Sequence, residues 1–222
     1  MKTAKTTVNG ISAVGIIYRE KNSDEIFLEL KDDGHPIKLV RRQQCPIGGN
    51  WIGVAATADG SPLNTFMREL QEELSFERPM RRSIEYAQLG VADDTLFEPT
   101  PISNVVITEE DRADLNLLKR FVQAEARPWL DFITNVSKAA LDAADPENKR
   151  DGFSTLVSYN TVAIPEALWE KLLRLQDKFH NLSNESITLV TSLDEIVRFG
   201  VKTAFGHDWA LRNFFISKSI PG

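Results

Sequence analysis

Between residues 62 and 74 the apolar side chains Leu63, Phe66, Met67, Leu70 and Leu74 recur at steps of three and four, which predicts a helix with one buried stripe. Ser61 suits the N-cap of that helix and Pro62 its first turn. A second stripe, Leu168, Leu172, Leu175 and Phe179, predicts a helix over 165–180. Thr108-Glu-Glu-Asp111 reads as a third helix start, with acidic residues in the first turn. Ser192 caps a further helix from Leu193, and 208–215 closes the chain as a helix.

Short β-branched runs predict strands at 8–19, 25–30, 37–40, 84–92, 155–163 and 187–190. Gly, Pro and Asp mark loops at 31–36, 41–49, 98–101 and 145–152. The stretch 108–144 has helical composition with a break before Pro128, so 108–150 is expected to be a helical insertion in a single domain spanning 1–222. Its Leu115, Leu118, Val122, Phe132, Ile133 and Val136 suit core or subunit packing, and a homodimer contact or a lid is expected of the segment. Strands alternate with helices, which places the chain in the α/β or α+β class.

Composition narrows this picture. The chain has 222 residues, 42% hydrophobic and 26% charged, the proportions of a folded globular protein. Its net charge of −6 argues against a broad electrostatic grip on nucleic acid. The single cysteine, Cys45, excludes an intrachain disulfide and fits a buried small hydrophobe. One Cys and three scattered His cannot assemble a structural zinc site. A polar N-terminus and the lack of a long apolar run lead to the expectation of a cytoplasmic protein without membrane attachment.

Chemistry is concentrated in Arg68-Glu69-Leu70-Gln71-Glu72-Glu73-Leu74-Ser75-Phe76. On a helix Glu69, Glu72 and Glu73 share a face, with Arg68 one turn below Glu72. Clustered carboxylates repel, and a hard divalent cation taking oxygen ligands relieves that repulsion. Arg68 is suited to hold one of them by a bidentate contact. A solvated acidic face explains the same residues, and both readings stand at this point.

The stretch is similar to the signature of the Nudix hydrolase superfamily: Gly, five residues, Glu, seven residues, then Arg-Glu-apolar-any-Glu-Glu-any-Gly-apolar. Arg68, Glu69, Leu70, Glu72, Glu73 and Phe76 match its second half, and Pro46-Ile47-Gly48-Gly49 resembles the turn that opens its loop. Gly60 stands where the loop Glu is expected, Val54 where the first Gly is expected, and Ser75 replaces the later Gly. Gly49 precedes Arg68 by nineteen residues, so the loop carries about five extra residues relative to the pattern. The resemblance covers 8–92 and returns weakly at 186–215.

The resemblance implies an α/β/α sandwich with a mixed sheet and hydrolysis of a phosphoanhydride in a nucleoside diphosphate linked to another moiety. Mg2+ or Mn2+ would be held by Glu69, Glu72 and Glu73, with Glu69 oriented by Arg68, or a loop Glu, accepting a proton. A Nudix-like nucleotide-binding or regulatory module without useful turnover is the alternative, and an interaction protein built on the insertion a third. Arg41 and Arg42, with Lys38, are candidates for substrate phosphate; a solvated strand end explains them too. Gly48 and Gly49 line the expected substrate loop. Trp51 is a candidate for stacking on a base, set against core packing. His207 reads as a packed or capping histidine, and Glu195 as a distant base or a helix-dipole carboxylate.

Overall fold

The structure, a computed structural model, describes residues 8–31, 33, 35–52, 59–76, 106–179 and 186–219. Its centre is a mixed sheet of seven strands: β1 (Gly10–Arg19), β2 (Glu25–Lys31), β3 (Gln44–Cys45), β4 (Ile47–Asn50), β5 (Arg127–Val136), β6 (Phe153–Ile164) and β7 (Ser186–Ser192). The main path runs β3-β2-β1-β6-β5; β4 pairs β1 and β7 pairs β2. β1 lies parallel to β6 along its whole length, and the other pairings are antiparallel.

Among the described residues six α-helices accompany it: α1 (Pro62–Glu73), α2 (Glu109–Glu125), α3 (Lys138–Ala144), α4 (Glu166–Leu175), α5 (Leu193–Phe199) and α6 (Asp208–Ser219). Alternate residues of β1 serve two cores, as a strand's period of two requires. Ala13 and Ile17 pack with Phe66 and Leu70 of α1, Leu118 and Val122 of α2, and Trp169 of α4. Val14, Ile16 and Tyr18 pack with Ile196 of α5 and Leu211 and Phe214 of α6. The result is a three-layer α/β/α sandwich, the architecture that alternating strands and amphipathic helices favour.

Local signals explain most elements. Asn64 donates its main-chain N–H to Ser61 Oγ at 3.2 Å, and Pro62 begins α1. Thr108 and Asp111 form a reciprocal capping box at the start of α2. Ser192 caps α5, whose left-handed C-cap is Gly200. Asp111 and Asp114 on α2 take ion pairs from Lys171, Arg174 and Lys178. These bonds tie α2 to α4 and its following turn.

Three expectations need correction. Residues 37–40 do not form a strand: Lys38–Val40 is a short 3-10 turn, because four apolar residues carry too little periodicity to fix a type. Residues 41–49 are not all loop, since β3 and β4 join the sheet and Gly48-Gly49 lies inside β4. The segment 108–150 is helical only in α2 and α3. Between them β5 pairs β6 at the sheet's end, an edge position that tolerates Pro128. α1 leaves through Leu74 at φ −96°, and Ser75, which stands where the signature has Gly, is not at positive φ. The expected strand at 84–92 and loop at 98–101 lie outside the described residues.

Candidate active site

Close approach of α1 to the sheet is set by two glycines. A Cβ on Gly15 would fall 2.1 Å from the Phe66 ring, so that aromatic seats directly on the β1 backbone. A Cβ on Gly49 would fall 2.3 Å from Glu69 Oε1. The Glu69 carboxylate therefore occupies the space that any side chain at 49 would need. This is why a glycine stands at 49, where propensity alone disfavours it. Gly48 is required by its positive φ of 151° and by the β1 backbone, since its Cβ would fall 2.2 Å from the Ala13 carbonyl oxygen.

Arg68 organises the acidic groups. Its Nη1 lies 2.8 Å from Glu69 Oε1 and 3.5 Å from Glu72 Oε1. Its Nε and Nη2 donate to Asp59 at 3.2–3.4 Å, and Nη2 also donates to the Asn50 carbonyl at 2.7 Å. One guanidinium thus joins three carboxylates and the end of β4, using the planar fork that suits it to several carboxylates at once. Asp59 is nearly buried and is held in turn by the Thr65 hydroxyl and the Ile52 N–H, each at 3.1 Å.

Asp59 is the residue that sequence reasoning missed. The family pattern expects a carboxylate eight positions before Arg68, where Gly60 stands; the structure supplies one from nine positions before. An acidic residue one place out of register was the available signal.

Glu69 and Glu72 both meet Arg68, whereas the charge of Glu73, itself nearly buried, acts on Lys31. Lys31 lies in the protein interior, ion-paired with the fully buried Glu29. Burial alone lowers the pKa of this ammonium, but the charge of Glu29 first, and that of Glu73, outweigh it and hold Lys31 protonated well above its usual range. Among the described residues no group of three His, Cys, Asp or Glu side chains is placed to hold a metal.

The basic candidates each have a partner of their own. Arg41 Nε donates to the His35 carbonyl at 2.7 Å, Arg42 pairs with Asp33 at 2.7 Å, and Lys38 pairs with Asp145 at 2.9 Å. Arg42 holds a positive φ of 59° in doing so. Glu195 sits in the first turn of α5, its N–H bonded to Ser192 Oγ. His207 is buried and shares a 2.7 Å hydrogen bond with the Tyr159 hydroxyl. Burial lowers its pKa to about 4, with the charge of Asp208 opposing and that of Lys31 assisting. Cys45 is buried as expected, and burial pushes its thiol up to about 12. Trp51 is not a core residue: it stands 45% exposed at the end of β4.

An open cavity of about 520 Å³ lies away from α1, between Val40, Val136, Ser154, Thr203 and Phe205. None of the acidic residues gathered by Arg68 lines it.

No family model matches the chain, and no curated protein gives a match. Two solved structures align with nearly all of it. One is a NUDIX hydrolase from Alicyclobacillus acidocaldarius, 14% identical, covering 95% of this chain and 92% of that one with a TM-score of 0.46. The other is a hydrolase of the NUDIX family from Clostridium perfringens, 11% identical, covering 95% and 99% with a TM-score of 0.39.

Proposed function

We propose that the chain is a Nudix-type, Mg2+-dependent hydrolase of a phosphoanhydride in a nucleoside diphosphate linked to another moiety. The observation that carries this reading is the gathering of Asp59, Glu69 and Glu72 around Arg68 over the Gly49 backbone. A solvated acidic face has no need of a buried aspartate to lock its arginine, nor of a glycine to seat its glutamate.

The donor set fits Mg2+ as a two-carboxylate site. Glu69 and Glu72 share one guanidinium nitrogen as neighbour, which puts two hard oxygen donors side by side. Mg2+ is commonly held by one or two carboxylates and completed by water and substrate phosphates, with no all-protein cage. When bound it supplies neutralisation of phosphate charge and activation of water.

The chain's own residues do the positioning. Arg68, fixed by Asp59 and the Asn50 carbonyl, sets the orientation of both glutamates. Glu69 is the candidate proton acceptor, its carboxylate immobilised between Arg68 and Gly49. Glu72 is the more open of the two, its side chain 19% exposed against 10% for Glu69, and so the better placed to meet an incoming ligand. Glu73 also places its negative charge toward the buried Lys31.

A nucleotide-binding module without turnover is the second reading, favoured by the lack of three grouped ligands among the described residues. A screen of nucleoside diphosphate derivatives with Mg2+ and Mn2+, reading phosphate or monophosphate release, separates the two. Metal-dependent release from at least one compound supports the hydrolase; ligand-induced thermal stabilisation without release supports the binding module.

A further inference from the structure

We infer that Trp51 is a stacking platform that selects ligands carrying a nucleobase over base-less phosphates. The inference deepens the proposed function by naming what reads the base, and it rests on that reading for the placement of the phosphates.

Three observations carry it. First, the indole is exposed yet anchored at both ends. The Trp51 main-chain N–H donates to the Ile11 carbonyl at 2.9 Å, extending the β1–β4 ladder by one residue. Its ring Nε1 donates to the Asp59 carbonyl at 2.8 Å. The indole N–H is spent on the protein while the residue stays 45% exposed, so its apolar surface is available to a ligand. The ring is held in place before any ligand arrives, which reduces the ordering cost of binding.

Second, the anchor belongs to the acidic site. Asp59 receives the indole N–H on its main chain and the Arg68 guanidinium on its side chain. The carbonyl of Asn50, next to Trp51, is gripped by the same arginine. The platform and the carboxylates are therefore linked through Asp59 and Arg68.

Third, the spacing suits a nucleotide. Trp51 and Gly49 are two residues apart on an extended strand and so face the same side of the sheet, about 7 Å apart along it. Glu69 lies directly over Gly49. That interval is roughly the breadth of one sugar, which is what separates a phosphate from its base. Ile11, cross-strand to Trp51 and 44% exposed, extends the apolar lip on the same face. Stacking accepts any base through its π-face, so the platform distinguishes base from no base far better than one base from another.

The test uses AMP and ribose 5-phosphate as probes with Mg2+ present; neither carries a phosphoanhydride, so neither is turned over. Of the other tryptophans, Trp169 is buried, Trp129 half-buried and Trp209 exposed. Fluorescence is therefore read in wild type and in Trp209→Phe, and affinities are measured by calorimetry in wild type, Trp51→Phe and Trp51→Ala. AMP quenches the wild-type and Trp209→Phe proteins, and ribose 5-phosphate does not. Trp51→Ala weakens AMP by about tenfold or more and leaves ribose 5-phosphate unchanged, while Trp51→Phe recovers most of the AMP affinity. Absent quenching in wild type, equal weakening of both probes in Trp51→Ala, or loss of quenching in Trp209→Phe overturns the platform. If AMP binds through Trp51 but no diphosphate derivative is ever hydrolysed, the hydrolase reading fails and the platform stands.

Discussion

Arg68 is fixed by Asp59, nine residues earlier in the chain, through contacts of 3.2–3.4 Å from Nε and Nη2 to both carboxylate oxygens. The same carboxylate accepts from the Thr65 hydroxyl and the Ile52 N–H. An aspartate outside the helix thus sets the direction of the arginine inside it. The glutamates follow from that direction.

Replacing Asp59 by Asn keeps the shape and removes the charge. The Arg68 guanidinium then has fewer acceptors in a nearly buried position, which costs roughly 1–3 kcal/mol. Urea unfolding of D59N should show that loss. Turnover with the best substrate should fall by more than the population of unfolded protein accounts for, because Glu69 and Glu72 lose their reference point. A variant as stable and as active as wild type would show that Asp59 plays no part in ordering the site.

Gly49→Ala probes the seat of Glu69. The added methyl lies 2.3 Å from Oε1, so the carboxylate or the helix has to shift. Overpacking of this kind costs typically 1–3 kcal/mol. The expected signature is a large drop in kcat beside a modest drop in Tm. Gly15→Ala, which strikes the Phe66 ring, should lower Tm and affect kcat only through loss of folded protein. Identical kinetic effects from the two substitutions would remove Gly49 from the site.

Stability should depend on pH through His207. Its pKa is lowered by burial from 6.5 to about 4, with the Asp208 charge opposing and Lys31 assisting, while Tyr159 bonds the ring. The unfolded chain therefore binds a proton between pH 6.5 and 4 that the folded chain does not. Stability is then full above pH 6.5 and falls as pH drops towards 4, by at most roughly 3 kcal/mol from this group. His35, also lowered to about 4 by burial, acts in the same direction. Urea midpoints at pH 7.5 and 5.0 measure the slope; His207→Asn should lower stability at both pH values and flatten the difference. A wild-type midpoint that does not move between the two pH values contradicts the assignment.

How far these features were legible follows from the range of the interactions behind them. α1 was readable to within a residue because its cap, its Pro62 and its stripe are local signals. Glu69 and Glu72 were readable as neighbours of Arg68 for the same reason. Glu73 was not separable from them by spacing, since its charge answers to Lys31 on β2, far away in sequence. β5 was hidden because a partner, β6, decides between strand and helix for a short apolar run. Gly48-Gly49 read as a loop because glycine has poor strand propensity. Pairing with β1 makes it a strand, and the Glu69 carboxylate over Gly49 and the β1 backbone beside Gly48 explain why glycines stand there. Trp51 was left between core and surface because exposure is a tertiary property.

The central claim is that Glu69 and Glu72, oriented by Arg68, form the working acidic pair. The most direct measurement is Mg2+-dependent turnover of the best nucleoside diphosphate derivative by wild type, E72Q and E73Q, with Mg2+-induced thermal stabilisation recorded for each. The account predicts that E72Q loses turnover by orders of magnitude and most of its Mg2+ stabilisation, while its metal-free Tm stays equal or rises slightly as like-charge repulsion is relieved. E73Q should instead lower the metal-free Tm, by taking a negative charge away from the buried Lys31, and keep most of its Mg2+ response. Unchanged turnover and Mg2+ response in E72Q, or a loss of Mg2+ response confined to E73Q, would contradict it.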